Sequence, residues 1–230
     1  MNAAEPNPTI RTSPAPFGTR LVRCLAGLLV CGLGIALIVA GDIGLAPWDV
    51  LHDGLSERSG MPIGTAIIVV GFALLLVWVP LRVRPGLGTI LNAIEIGLVV
   101  DLVLPLLPEP DRLPLQLTMM GSGVVAFGIG TGLYIGAGLG PGPRDGLMTG
   151  LSARSGRSLR LVRTIIELVV LAGGWALGGE PGIGTAVFAL TIGPIVQLSL
   201  RTMGMWTGPR ARGPVVGDRP PRRIRVGAGG

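Results

Sequence analysis

The sequence predicts an all-α polytopic membrane protein, with six transmembrane helices arranged as two inverted three-helix repeats. Of the 230 residues, 49% are hydrophobic and only 14% are charged, whereas soluble domains carry about 25% charged residues. The apolar residues gather into runs near the roughly 20 residues that cross a bilayer, and the chain contains a long internal repeat. An ordinary soluble domain and a disordered chain are therefore excluded.

The predicted transmembrane helices are rich in Leu, Val, Ile, Ala and Gly. The first is interpreted as a span and not as a signal peptide, because it is longer than the usual apolar region of about 7–15 residues. The third and the fifth are the least uniform, because each contains charged residues. The six predicted spans are 21–41, 62–81, 88–107, 115–138, 161–178 and 183–203.

The arginines determine the predicted orientation. All 19 basic residues are arginine, and short cytoplasmic connections are enriched in such residues. With the N-terminus inside, only Arg58 and Arg112 fall in outer connections. We therefore expect both termini in the cytoplasm. No aromatic residues are interleaved with the arginines as in nucleic-acid binding, so the expected partner is the lipid bilayer and not a nucleic acid.

An internal repeat divides the chain. The segment GLAPWDVLHDGLSERSG at 44–60 reappears as GPGPRDGLMTGLSARSG at 140–156, and the offset of 96 continues without a gap from Gly27/Gly123 to Gly97/Gly193. A unit with three spans is odd, so the second copy must enter the membrane from the opposite side, as in several transporter folds. The predicted divisions are a disordered cytoplasmic N-terminus (1–19), two three-helix repeats (20–110 and 111–206) and an Arg/Pro/Gly-rich cytoplasmic tail (207–230).

The repeated motif predicts a short helix between the first two spans of each repeat. Proline suits the first helical position, aspartate suits the positive N-terminal end, and glycine ends the helix. Two interpretations stay open: a pair of gates whose aspartates face a solute path, or helix caps whose arginines fix topology. The motif residues are Gly44, Pro47, Asp49, Gly54, Ser56 and Arg58 in the first repeat, and Gly140, Pro143, Asp145, Gly150, Ser152 and Arg154 in the second.

Ionisable residues within the spans are candidates for a solute or ion path, because a charge at membrane depth usually faces a cavity or a partner. Asn92 and Glu95 are three residues apart on one predicted helix face, and Asp101 lies near its outer end. Glu95 is the preferred carboxylate for proton or cation coupling, with a structural hydrogen bond as the alternative. Glu167 is four residues after Arg163 and is expected to pair with it. His52, the only histidine, is expected on the solvated surface.

The chain resembles the YczE/YyaS/YitT group of bacterial membrane proteins, and its YczE-like branch in particular. The resemblance covers about residues 20–205 and lies in GLAPWDVLHDGLS, PGLGTILNAIEIGLVVDLVLP, GPGPRDGLMTGLS and PGIGTAVFALTIGP. It implies a polytopic inner-membrane protein. It implies no biochemical activity, so no site residue is transferred from it.

Two functions follow from these features. The first is a small-solute permease or exporter that works by alternating access, with proton or cation coupling. The second is a non-transporting accessory or regulatory protein that binds another membrane-associated system, with a membrane-protein partner or a second copy as its contact. An enzyme is not expected, because we find no metal-binding cluster, no phosphate-binding loop and no nucleophile beside a base. No cofactor and no metal are expected either.

Overall fold

The computed structural model describes residues 15–204, and the regular structure in that range is helical. The predicted all-α fold is thereby confirmed for this part of the chain. A short 3-10 helix, Leu104–Leu106, extends the fourth α-helix. The α-helices are α1 (Phe17–Gly41), α2 (Pro47–Ser59), α3 (Ile63–Leu81), α4 (Leu87–Val103), α5 (Leu113–Ala137), α6 (Pro143–Ser155), α7 (Leu159–Ala176) and α8 (Ile183–Thr202).

Within the described range, five helices are long and apolar enough to cross a bilayer, namely α1, α3, α4 with its 3-10 extension, α5 and α8. They correspond to five of the six predicted spans. The remaining predicted span is α7, which has 18 residues and is not among the five. Arg160, Arg163 and Glu167 lie within it and reduce its apolar character.

The outer surface of the bundle is apolar. Leu76, Val79, Leu102, Ile183 and Leu190 each expose between 72% and 80% of their surface. A soluble protein rarely presents so much apolar surface, whereas lipid tails are a suitable neighbour for it. Helices also satisfy their backbone hydrogen bonds internally, as the hydrocarbon core requires.

Helices α1 and α5 form an antiparallel pair at the centre of the bundle. Arg20, near the start of α1, donates hydrogen bonds to the carbonyl oxygens of Ala137 (2.7 Å) and Gly138 (2.6 Å) at the end of α5. A Cβ at Gly34 would lie 2.7 Å from the carbonyl oxygen of Gly123, so the two backbones touch. Small residues allow such contacts between membrane helices.

The outer helices pack on this pair in the same way in both halves. A Cβ at Gly32 of α1 would lie 2.6 Å from the Cβ of Val99 in α4, and a Cβ at Gly128 of α5 would overlap Ile195 in α8. The second contact lies 96 residues after the first on both helices. We call α1–α4 the first unit and α5–α8 the second unit.

The helix borders follow the sequence repeat. Helices α2 and α6 both have 13 residues, and each border of α6 lies 96 residues after the matching border of α2. The same offset relates the starts of α3 and α4 to those of α7 and α8. The predicted tail 207–230 lies outside the described residues, as does most of the predicted disordered segment 1–19, although α1 begins within that segment at Phe17.

Candidate functional site

The two short helices, α2 and α6, start and stop by the same local chemistry. Pro47 and Pro143 are the first helical residues, and Asp49 and Asp145 lie in the first turns. A glycine with positive φ, 72° in α2 and 65° in α6, ends each helix, which is a common helix stop. The predicted short helices are therefore confirmed.

The other motif residues also have structural contacts. The hydroxyls of Ser56 and Ser152 each donate to the backbone carbonyl five residues further on, at 2.7 and 2.8 Å. Gly54 and Gly150 pack against the ends of α7 and α3, respectively. These contacts fit the cap interpretation of the motif. The last turns carry Arg58 and Arg154.

The first glycine of each motif lies in a loop that contacts the other unit. Gly44 and Gly140 have φ angles of 116° and 126°, a region that glycine adopts without strain. A Cβ at Gly44 would lie 2.5 Å from the Cα of Gly182 before α8, and one at Gly140 would lie 3.0 Å from the Cα of Gly86 before α4. The loop of each unit thus packs directly on the last helix of the other.

Each short helix also contacts the end of a long helix in the other unit. Trp78, near the end of α3, is 1% exposed, lies against Gly146 of α6 and donates its indole N–H to the carbonyl oxygen of Pro143 at 3.0 Å. At the matching contact, a Cβ at Gly174 of α7 would lie 2.5 Å from the carbonyl carbon of Val50 in α2. Helix α6 therefore holds the end of α3, and α2 holds the end of α7.

The first turns of α2 and α6 meet inside the bundle. The Arg144 guanidinium lies 5.2 Å from the centre of the Trp48 ring, and its Nη2 is 3.5 Å from Oδ1 of Asp49. His52 donates from Nδ1 to the same oxygen at 3.1 Å. Asp49 and His52 are each 1% exposed, so the prediction that His52 lies on the solvated surface is wrong. Helix α2 packs against α7 and α3, and the spacing of residues along the sequence does not show which of them this packing buries.

These contacts decide the charges of the cluster. Burial raises the pKa of Asp49, but the hydrogen bond from His52 and the charge of Arg144 outweigh this effect and leave that pKa below its ordinary value. Burial lowers the pKa of His52, and its hydrogen bond to Asp49 only partly opposes the shift. At neutral pH the cluster therefore holds an ionised Asp49 and a neutral His52 beside the Arg144 guanidinium.

Asp145 has different partners, although it is the repeat counterpart of Asp49. The hydroxyl of Tyr134 donates to its Oδ2 at 2.8 Å. A Cβ at Gly142 would lie 3.1 Å from that hydroxyl and 3.4 Å from Nδ2 of Asn92. The two copies of the motif thus carry unlike polar clusters, one on α2 and α6 and the other on α4, α5 and α6.

A cavity of about 520 Å³ lies beside these clusters, and every α-helix contributes to its wall. Most of the wall is apolar, with a few polar side chains from both clusters, as is usual for a small-molecule site. Trp48 also belongs to this wall, and its buried indole N–H has no hydrogen-bond partner within residues 15–204. The polar lining residues include Asn92, Tyr134, Arg144, Asp145, Arg163 and Glu167.

The crossing of α3 and α4 is closed. A Cβ at Gly64 or at Gly97 would overlap the carbonyl oxygen of the other residue. Oδ1 of Asp101 accepts from the backbone N–H of Gly64 at 2.6 Å, and its Oδ2 accepts from the Thr65 hydroxyl at 2.8 Å. Asp101 thus caps the start of α3 and is not part of the cavity wall. This position differs from the predicted one along a solute path.

The crossing of α7 and α8 is open at the equivalent place. The repeat offset puts Arg160 in the position of Gly64 and Gly193 in the position of Gly97. A Cβ at Gly193 would meet no atom within 4 Å, and Arg160 and Gly193 both line the cavity. An arginine cannot enter a crossing that needs two glycines, so α7 stays apart from α8 and the cavity is open there.

The same replacement continues along α7. Ile67 and Gly71 of α3 are replaced by Arg163 and Glu167 in α7. The face of α3 that packs on Ala93 of α4 is therefore a charged face in α7. Nε of Arg163 donates to Oε1 of Glu167 at 2.8 Å, which confirms the predicted pairing of these two residues.

The predicted path residues separate into two groups. Asn92 and Glu167 line the cavity, whereas Glu95 and Asp101 do not. Oε2 of Glu95 is buried and has no hydrogen-bond partner among the residues described. The cavity meets α4 at Asn92 and Ile96, so the three-residue spacing does not bring Glu95 to it as well.

Several residues of the site were not selected from sequence. Trp48 and Arg144 occupy equivalent motif positions, and Gly64 and Arg160 are equivalent in the next helix. These differences between otherwise similar copies are the signal that could have found them. Tyr134 lies in an apolar helix and gives no such signal. In the described range, no group of three His, Cys, Asp or Glu side chains is arranged to hold a metal.

Comparison with known proteins places the chain in a family. The family described as a family of unknown function (DUF6198) matches residues 18–201. An uncharacterized protein of Haemophilus influenzae is 40% identical over 76% of this chain and 81% of its own length. The uncharacterized membrane protein YczE of Bacillus subtilis is 35% identical, with 76% and 82% covered. The uncharacterized protein YyaS of Bacillus subtilis is 29% identical, with 69% and 81% covered.

No solved structure matches the chain. The similarity to YczE and YyaS confirms the resemblance drawn from the motif sequences. Together with the five apolar helices, the similarity to a membrane protein identifies a multi-pass membrane protein. The chain belongs to the family of unknown function DUF6198.

Proposed function

We propose that this protein is a small-solute permease, and not an enzyme, that works by alternating access between two inverted three-helix units. In this proposal α7 is the sixth span, because its 18 residues extend about 27 Å at 1.5 Å per residue. The matching starts of α3 and α7 and the contacts of their last turns with α6 and α2 support the same assignment. Unit one then spans the bilayer with α1, α3 and α4, and unit two with α5, α7 and α8.

The difference between the two helix crossings carries the proposal. Gly64 and Gly97 close the α3–α4 crossing, and Asp101 binds the start of α3. The equivalent crossing, at Arg160 and Gly193, opens into a central cavity. A pair of inverted units with one crossing closed and the other open is what alternating access requires at any moment.

The arginine distribution sets the proposed direction. We propose the inner membrane of a bacterium, with both termini in the cytoplasm. Arg160 and Arg163 lie in the first turns of α7, whereas the far end of α7 contacts α2 beyond the end of α1. The open crossing therefore faces the cytoplasm in this orientation, and the closed crossing faces outside. The opposite state would close α7 onto α8 and release α3 from α4.

Ion coupling is a further part of the proposal. Glu95 is the proposed coupling carboxylate for a proton or a cation, because its Oε2 is buried without a partner among the described residues and membrane carboxylates of this kind are often functional. Its position outside the cavity wall separates it from the solute. Glu95→Gln is expected to abolish dependence of uptake on the ion gradient, measured in proteoliposomes with an imposed pH or sodium gradient.

A crosslink can test alternating access without a known solute. In a variant lacking Cys24 and Cys31, Arg160→Cys and Gly193→Cys place a thiol pair where the first unit has its glycine contact. Oxidation of this pair would tie α7 to α8 at the Cα spacing of a disulfide, about 5.5–6 Å. Val196→Cys and Val100→Cys then report on the two sides, because these valines are repeat equivalents, one in the cavity wall and the other 0% exposed.

The expected result is a reversal of labelling by a membrane-impermeant thiol reagent. Before oxidation, the cysteine at 196 reacts from the cytoplasmic side and the cysteine at 100 reacts from neither side. After oxidation, the cysteine at 196 is protected and the cysteine at 100 reacts from outside. If the disulfide forms and position 100 stays unreactive, the bundle is static. The accessory-protein function then replaces the permease.

A further inference from the structure

One residue of the cavity wall, Trp48, has a hydrogen-bond donor without an acceptor among the described residues. Trp48 is 5% exposed, and its indole N–H has no hydrogen-bond partner within the described chain. Buried polar groups in folded proteins are nearly always hydrogen-bonded. Trp48 is one of the residues that line the cavity, so an acceptor on a bound solute would satisfy this N–H.

Arg144 adds further donors beside it. A guanidinium carries five N–H donors, and within the described residues that of Arg144 donates a single long hydrogen bond of 3.5 Å, from Nη2 to Oδ1 of Asp49. The guanidinium also lies over the Trp48 ring at 5.2 Å. A guanidinium can stack on an aromatic ring and still bind a carboxylate with two parallel hydrogen bonds.

Each acidic side chain that lines the cavity accepts a hydrogen bond from a neighbouring side chain on one of its oxygens. Asp145 accepts from Tyr134 at 2.8 Å, and Glu167 accepts from Arg163 at 2.8 Å. Asp49 is buried and is not part of the cavity wall. The first residues of α2 and α6 border the cavity as well, and helix N-termini favour anions. The balance of available groups therefore favours an anion over a cation.

The other residues of the cavity wall indicate which kind of molecule carries the anionic group. Phe127 and Phe188 pack together with ring centres 5.6 Å apart, and both face the cavity with Leu74 and Ile192. We infer that the cavity binds an organic carboxylate with an apolar body, its carboxylate held by Arg144 and the Trp48 N–H and its body by the aromatic wall. This inference rests on the proposed permease function, since it names the class of solute carried.

Such a carboxylate has two sources. An aryl carboxylate arrives from water, whereas a fatty acid arrives from the bilayer through the opening between α7 and α8. Both share the chemistry that the cavity recognises. The experiment therefore uses 3-phenylpropionate and oleate as separate probes, with 3-phenylpropionamide and 3-phenylpropylamine as the neutral and cationic counterparts of the first.

Binding is measured by calorimetric titration of the full chain in detergent. We expect at least one of the two acids to bind, and the amide and amine to bind at least about tenfold more weakly than 3-phenylpropionate where that acid binds, because a charge-assisted hydrogen bond is lost. Binding of oleate alone keeps the anion site and assigns its solute to the membrane. Equal binding of the amide, tighter binding of the amine, or binding of neither acid overturns the inference.

Variants locate the site within the molecule. Arg144→Gln is expected to weaken binding of the acid by about tenfold or more, and Trp48→Phe by a few-fold, because each removes donors. Arg154→Gln is the matched control, since Arg154 is exposed in the last turn of the same helix, and it should leave the affinity unchanged. Equal affinity in Arg144→Gln and in the control overturns the inference.

The ligand series needs no variant, so a folding defect in Arg144→Gln does not affect it. It also separates the two proposals, because binding in detergent requires no movement of the helices. Acid binding together with an unreactive position 100 after the 160–193 crosslink overturns the permease and leaves the carboxylate site. Reversed labelling together with preference for the amine overturns the carboxylate site and leaves the permease.

Discussion

At the α3–α4 crossing, two glycines bring the backbones into contact, whereas at the α7–α8 crossing an arginine stands where one of those glycines would be. The neighbouring contacts α1–α4 and α5–α8 are alike, since Gly32 and Gly128 each meet the next helix in the same way. The units therefore share the same helix arrangement, and the packing of their long helices differs at this crossing. This difference teaches that a few replacements on a single helix face are enough to open a cavity in a duplicated bundle.

The strongest test of this comparison adds one carbon atom at equivalent places. Gly97→Ala should destabilise the protein by about 1–3 kcal/mol, because the new Cβ overlaps the Gly64 carbonyl and overpacking of a close contact has a cost of this size. Thermal unfolding in detergent measures it. Gly193→Ala is the matched control in open space and should stay within about 0.5 kcal/mol. Equal losses would show that the crossings do not differ.

A second test removes the Asp101 side chain, which caps the start of α3 at the closed crossing. Asp101→Ala should cost about 1–2 kcal/mol, because the start of α3 loses a charged cap and two hydrogen bonds. Its repeat equivalent, Gln197, faces the cavity, so Gln197→Ala should change the free energy of unfolding by less than about 0.5 kcal/mol. Chemical or thermal denaturation in detergent measures both, and a larger loss in Gln197→Ala would contradict the comparison.

A third test makes α7 resemble α3. Arg160→Gly restores the glycine of the closed crossing, so α7 should approach α8 more often. The expected result is a few-fold slower reaction of Val196→Cys with a thiol reagent, equivalent to less than about 1 kcal/mol. Arg157→Gly, at an exposed position before the helix, controls for loss of charge. Unchanged reactivity in Arg160→Gly would show that another residue holds the crossing open.

The smallest expected effect concerns the charged face of α7. Arg163 and Glu167 form a hydrogen-bonded pair, but their side chains are 52% and 29% exposed. A double-mutant cycle with Arg163→Gln and Glu167→Gln should therefore give a coupling energy of only about 0.3–0.5 kcal/mol, as for other exposed pairs on helices. A coupling above about 1.5 kcal/mol would mean that the pair is part of the packing at the crossing.

Much of the fold could be predicted from sequence, because apolar length and a repeat are local properties. The start and stop of α2 and α6 followed from Pro47, Pro143 and the final glycines of the motif. The site was harder to predict, because the rotation of a helix depends on its neighbours. Neither the burial of His52 nor the separation of Asn92 from Glu95 can be read from spacing alone.

The open crossing was harder still for a different reason. The spacing of Arg163 and Glu167 in α7 predicted that the two residues pair, and they do. This pairing within one helix accounted for both charges, so it gave no reason to compare α7 with another helix. Only comparison of α7 with α3, position by position, relates Arg160 to the glycine it replaces. The positions at which the two copies differ indicate the site, whereas the positions at which they agree indicate the shared helix arrangement.

The contact of each short helix with a long helix of the other unit links the two units mechanically. Helix α6 holds α3 at Trp78, and α2 holds α7 at Gly174, so both long helices are fixed at their last turns and vary at their first. Each of these two long helices is therefore held at one end by a short helix that belongs to the opposite unit. If the units move as proposed, tilting one of these long helices strains the contact that holds the other, so a coupling between the two ends of the molecule would be reciprocal and would need no direct contact between them.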